Sequence, residues 1–385
     1  LELIDFSVDL LKRKNILEAL RPALPTFLLT IKGYCLLPHS SIELWKNNPN
    51  LYITEEFDDE NVNTVRNKSL NLIKEITKEL DDDSLLRFMK ILISEFTSGV
   101  NVENYSEVIK LDDSNLMTPY IERMNVDQEY ITRRHEANLL ILGHLSDDLY
   151  VLREKGLIGL REVTELIQFF FSIVNGCSDS ILVGRAIWCL SRLISLLKHE
   201  KEMLKEMFEG VSKALYSSDL TVSLVAAQCI THLATRIESM DSDYIINNYI
   251  RLIKLLQETT EETLIIPIDA IVSISKLNHE KSLYVPLNAS KLIVDIYSQY
   301  YNHPFISVKI LELVKLWCSD NRSAQILMRL FVPFVILVFS DFFNTLGDKN
   351  KNFEEIKQTV MTEHNGMDFK TNLDMLPVIH LNFRI

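Results

Sequence analysis

At 385 residues the chain exceeds what one compact core of ordinary size holds, so it is either several domains or an elongated array. Its 47% hydrophobic and 24% charged residues exclude a disordered chain, and a net charge of −13 argues against direct nucleic-acid binding, which needs a basic face. No uninterrupted apolar run reaches the roughly 20 residues of a bilayer span; the nearest, Leu330–Phe339, is short and contains Pro333, so no membrane insertion is expected.

Glycine and proline number only 10 each, which favours helices with few tight turns. Helix-period apolar patterns run from one end to the other and come in pairs. In chain order the pairs are Leu1–Pro38, Asn63–Thr97, Gln128–Asn175, Ser180–Ser217, Leu220–Glu258, Glu261–Tyr300 and Pro304–Phe343, followed by an eighth that begins near Phe353 and is cut short at Ile385. Residues 344–374 read as irregular or atypical. Leu1 opens inside an amphipathic pattern, so the chain reads as a middle piece of something longer.

The pairs recur. The segments "GRAIWCLSRL", "LVAAQCITHL", "IDAIVSISKL" and "VKILELVKL" end at Leu193, Leu233, Leu277 and Leu316, at spacings of 40, 44 and 39. A polar break and a second apolar helix follow each. Several second helices are expected to open on a proline, at Pro25, Pro286, Pro333 and Pro377, because the first turn has no use for the missing N–H. Pro267 is expected inside a first helix, bending it. Two helices per 40–47 residues is the period of HEAT or armadillo repeats, so the expected fold is all-α: an α-solenoid, a right-handed superhelix of antiparallel helix pairs over residues 1–385. Trp188, within "GRAIWCLSRL", is expected in its core.

Catalytic and metal-binding signatures fail on spacing. "RRHEANLLILGH" lacks the second histidine of a zincin four positions after His135, because Leu139 stands there. His135 and Glu136 read instead as polar residues on the side of a helix. There is no glycine-rich phosphate loop and no nucleophile elbow. No catalytic, cofactor or metal site is expected, and the chain does not read as an enzyme. The five cysteines (Cys35, Cys177, Cys189, Cys229, Cys318) show no paired spacing and read as free thiols in helices. Asp81–Asp83, ahead of an apolar helix, read as its N-terminal cap.

One segment breaks the helical rhythm. Residues 41–60, within "SIELWKNNPNLYITEEFDDENVNTVR", read as an acidic inter-repeat loop. It is longer than the two to eight residues that usually connect helices. Five of the six residues from Glu55 to Glu60 are acidic: Glu55, Glu56, Asp58, Asp59 and Glu60, with Phe57 among them. Two readings stay open on composition: a docking element for a cationic partner, with Trp45 and Tyr52 as apolar anchors, or a solvated spacer with Trp45 tucked into the adjacent repeat.

Three motifs carry a resemblance. Trp45, Asn48-Pro49 and Tyr52-Ile53, then the acidic run and Thr64-Val65-Arg66, form the first; His135-Glu136-Ala137 followed by Leu142-Gly143 forms the second; Gly184-Arg185-Ala186-Ile187-Trp188 forms the third. In this order they resemble the importin-β (karyopherin) family of nuclear transport receptors, most closely its importin-9 branch. Asn48 stands where that family often has Asp, and Arg133-Arg134 replaces an aromatic–lysine pair. The resemblance implies a monomeric receptor that shuttles between cytoplasm and nucleus. It would carry basic nuclear proteins such as core histones, contact Phe-Gly nucleoporins and be regulated by Ran GTPase, with no cofactor and no direct nucleic acid. By position, it assigns Ran and cargo contacts to Trp45, Glu55, Glu56, Asp58, Asp59 and Glu60. A HEAT scaffold subunit of a multiprotein complex and an exportin of the same superfamily are the competing expectations.

Overall fold

The computed structural model describes residues 2–57, 64–97, 128–277 and 287–345, and within them the chain is all-α. Two compact units divide near Arg236.

The N-terminal unit opens with α1 (Glu2–Leu11), α2 (Lys14–Leu20) and α3 (Leu24–Lys32), which carries Pro25 in its first turn as expected. Then follow α4 (His39–Asn47), α5 (Pro49–Phe57), α6 (Val65–Lys78) and α7 (Asp82–Thr97). Beyond them come α8 (Gln128–His144), α9 (Ser146–Glu154), α10 (Leu160–Gly176), α11 (Ser180–Leu193), α12 (Lys201–Ala214) and α13 (Leu220–Ala234). α8, α11 and α13 lie side by side in a row, while α10 packs on α11 and α12 on α13. The row helices are apolar on most of their faces because they are covered from several sides. In α13 every residue from Thr221 to Ala227 is buried.

Helix starts and stops follow local chemistry. Asp179 accepts hydrogen bonds from the N–H groups of Ile181 and Leu182, and 40 positions later Asp219 does the same for Thr221 and Val222. These are N-caps that satisfy otherwise orphaned donors. Asp81 caps α7 through the Ser84 N–H (2.9 Å) and hydroxyl, and these bonds hold its carboxyl below the usual carboxylate range. Just past the end of α9 the chain turns at Gly156, whose φ of 73° an L side chain rarely adopts; there the Leu157 N–H closes onto Leu152 O at 3.0 Å.

The C-terminal unit contains α14 (Ser242–Leu255), α15 (Ile265–Leu277), α16 (Leu287–Tyr300), α17 (Pro304–Trp317) and α18 (Asn321–Thr345). α14 packs on α15, α15 on α17, and α16 on both α17 and α18.

Several local expectations change. Pro333 does not open a helix; it lies inside α18. Pro267 is the third residue of α15, where its missing N–H has no intrahelical acceptor to lose, so it starts the helix rather than bending it. Trp188 is half-buried rather than core. Segment 41–60 is not a loop over its described part, because α4 and α5 fill it up to Phe57. Residues 346–374, Pro286, Pro377 and the eighth pair lie outside the described residues. The window Ser180–Leu197 has the length and apolarity of a bilayer span, but 72% of it is buried inside the protein and it contains Arg185 and Arg192. It is a core helix.

All five cysteines are free. Cys35, Cys189 and Cys229 are buried, and burial pushes each thiol up, Cys35 to about 12. They behave as small apolar residues.

Candidate functional site

The tryptophan–acid segment is a helical hairpin pressed against the row. Asn48 breaks α4 from α5 with an extended φ of −144°, and its Oδ1 accepts from the Leu51 N–H at 3.2 Å. Ile42, Trp45, Tyr52 and Ile53 are all buried, and the Trp45 and Tyr52 rings meet at 4.7 Å. The indole crosses α11 at Gly184, where a Cβ would stand 2.6 Å from its ring. Its Nε1–H then donates to Asp219 Oδ2 at 2.9 Å. Trp45 therefore buttresses the N-cap of α13, and its side chain is used within the chain.

Arg185, next to Gly184, belongs to a cluster of four charges from four helices: Glu56 (α5), Arg66 (α6), Glu136 (α8) and Arg185 (α11), of which the last three are buried and Glu56 is mostly so. Glu136 is fully buried and central. Its Oε1 accepts from Arg66 Nη2 at 2.6 Å and from Arg185 Nε at 2.7 Å, and its Oε2 accepts from Arg66 Nη1 at 2.9 Å. Glu56 accepts from both guanidiniums, and Arg66 also donates to the Cys35 carbonyl at 2.8 Å. Two positive and two negative groups close the cluster electrically. Burial pushes the Glu56 carboxyl up, but Arg66 and Arg185 outweigh it and hold it below the carboxylate range. Burial likewise opposes the charge on both arginines, and Glu136 and Glu56 more than restore it.

Trp188 flanks this cluster. Arg185 Cζ stands 5.0 Å over its ring, and the ring fills the space beside Gly143, where a Cβ would come within 2.1 Å. His144 meets Trp188 edge-on at 5.2 Å. Burial, then Lys74, Arg185, Arg192 and Arg66, push its imidazole down to about 3, so it stays neutral.

A second cluster links α3, α7 and α8. Glu95 receives Lys32, Arg134 (3.2 Å) and Asn138 (2.9 Å), so three donors hold its carboxyl low against burial. Lys32 shares that carboxylate with the others. For it burial outweighs Glu95, pushing the ammonium down to about 8. Because the folded value lies below that of the unfolded lysine, near 10.4, the unfolded chain binds more protons between the two. Lys32 should therefore make stability rise with pH from about 8 to about 10.5 relative to Lys32→Met. Urea melts of the two proteins across that range test this, and parallel pH dependences would refute it.

The six residues expected to contact Ran or cargo thus separate. Trp45 is buried and Glu56 is turned inward onto Arg66 and Arg185; Glu55 is exposed to solvent; Asp58, Asp59 and Glu60 lie outside the described residues. Glu136 is a correction as well: expected as a polar flank, it is the centre of the ion cluster. Arg66 and Arg185 were read only as motif residues, with no site role, and Asp219 was not singled out. A signal for Arg185 existed, since it interrupts the apolar run of α11, and a charge in such a place needs a buried counter-charge. Among the described residues, no three His, Cys, Asp or Glu side chains are grouped to hold a metal.

No family model matches the chain. A stretch of 126 residues, 32% of the chain, is 25% identical to GTP cyclohydrolase 1 of Shewanella sp. (strain W3-18-1) and equally to that of Shewanella putrefaciens (strain CN-32 / ATCC BAA-453). The match spans 55% of those enzymes' own length. A crystal structure of an engineered protein aligns over 95% of this chain and 99% of its own at 12% identity, with a TM-score of 0.40.

Proposed function

We propose that this chain is a segment of a nuclear import receptor of the importin-β kind, built as an α-solenoid of HEAT repeats, which binds basic nuclear proteins such as core histones and answers to Ran GTPase. It acts without chemistry of its own, shuttling between cytoplasm and nucleus through contacts with Phe-Gly nucleoporins. One observation carries the reading: the three motifs behind the resemblance interlock. Glu56 and Arg66 of the first, Glu136 of the second and Arg185 of the third share one ion cluster, and Trp45 of the first crosses Gly184 of the third. Motifs some 140 positions apart in sequence are parts of a single physical device, which a chain with only generic helical repeats has no reason to contain. The rows of neighbouring helices within each unit, and the net charge of −13, fit stacked repeats with a cationic cargo. At its identity and coverage, the likeness to GTP cyclohydrolase 1 carries no activity to this chain.

The test is retention of core-histone dimers by the immobilised protein, with and without Ran loaded with GTP. An import receptor retains histones and loses them when Ran is added. Retention that increases with Ran would mark an exportin, and no retention even at low salt would overturn the reading.

Within it, the acidic role passes to Glu55, Asp58, Asp59 and Glu60. Changing these four to Ser or Asn, with Glu56 left intact, should weaken histone retention while stability shifts by no more than about 0.5 kcal/mol. Unchanged retention at low salt would make the run a spacer.

A further inference from the structure

We propose that the groove between the first turns of α15 and α17 seats a short basic segment of a partner protein, with one large apolar side chain as its anchor. This rests on the cargo reading above and assigns part of that cargo a place. The groove encloses about 810 Å³, enough for a few residues of extended peptide. Its apolar surface is open to solvent: Phe305 is 75% and Val308 43% exposed, one helical turn apart on α17, facing Ile265 at the start of α15. A phenylalanine this exposed at the mouth of a groove is the kind of surface partners cover.

The rim is acidic. Glu261 and Glu262 on the turn before α15, with Asp269 one turn inside it, face the single lysine Lys309. Lys309 is already engaged, by Asp269 at 3.0 Å and by Glu312 at 3.5 Å. Each helix N-terminus contributes roughly half a positive charge, and two of them do not cancel the remaining excess of carboxylates. The field of this rim reaches Tyr300, whose phenol is pushed up by burial and then by Glu261 and Glu262. An apolar floor under a negative rim selects a segment of lysines or arginines around one hydrophobic residue, and it disfavours an acidic segment through like-charge repulsion.

The experiment titrates the whole chain into a labelled synthetic Lys/Arg-rich peptide carrying one phenylalanine and follows fluorescence anisotropy. Core-histone retention is measured in parallel. Phe305→Ala should weaken peptide binding about tenfold, as loss of an anchor does. The double variant Glu261→Gln/Glu262→Gln should weaken it comparably at low salt and flatten its salt dependence. Both substitutions fall on exposed side chains, so the melting curves should overlay that of the parent protein. Peptide binding that is absent, or indifferent to both variants, overturns the groove proposal. If histones are retained all the same, the cargo reading survives it. If the peptide binds and the variants weaken it while histones are not retained, the groove stands and the cargo reading falls.

Discussion

Glu136→Ala should destabilise the N-terminal unit by about 3–5 kcal/mol, the largest loss we expect from one charged residue in this chain. The substitution removes the carboxylate that joins Arg66 to Arg185 and leaves two buried guanidiniums sharing Glu56. The magnitude comes from stranded charge rather than from any large net gain in forming the cluster. Desolvating four ions largely offsets their attraction, so replacing the whole cluster with apolar residues of similar volume would cost far less than breaking it. The two outcomes can be compared directly. Urea unfolding followed by tryptophan fluorescence should show a severe loss for Glu136→Ala. It should show substantial recovery when Glu56→Leu, Arg66→Met and Arg185→Met are added. A single variant as stable as the parent would mean that water reaches the cluster and the charges are solvated.

Trp45→Ala should cost a similar amount, about 3–5 kcal/mol, by emptying the space between α11 and α13. Trp45→Phe separates the two functions of the side chain. It keeps most of the apolar area and loses the N–H, and Asp219 retains its bonds to Thr221 and Val222, so only about 1 kcal/mol should go. The contrast also discriminates between roles. A docking tryptophan would lose partner binding on truncation with little change in the melt, whereas a buttress loses stability first. A calorimetric melt of Trp45→Ala that matches the parent would rule out the buttress.

The letters that make the tryptophan–acid segment recognisable are spent on holding α5, α6, α8, α11 and α13 together. Of the adjacent pair Glu55 and Glu56, Glu55 alone stays exposed to solvent.

The helical character of the chain was legible in the sequence because it is set locally, whereas the spans Leu1–Pro38 and Gln128–Asn175, each read as one helix pair, hold three α-helices apiece. Apolar spacing of 3.6, the aspartates at the start of α7 and proline in the first turn of α3 each act within a few residues of their own position. The α4–α5 hairpin was not legible, because its proline, asparagines and carboxylates have the composition of a loop. Its helices are held by burial of Ile42, Trp45, Tyr52 and Ile53 against helices far along the chain. Glu55 and Glu56 make the same point at the scale of one residue. They are identical, adjacent letters in one acidic run, yet a rotation of about 100° per residue turns one to water and the other toward Arg66 and Arg185. The sequence by itself determined that the chain is helical. Which charges face solvent and which close on one another was decided only by the tertiary structure, since a counter-charge about 130 positions away leaves no mark on the residues beside it.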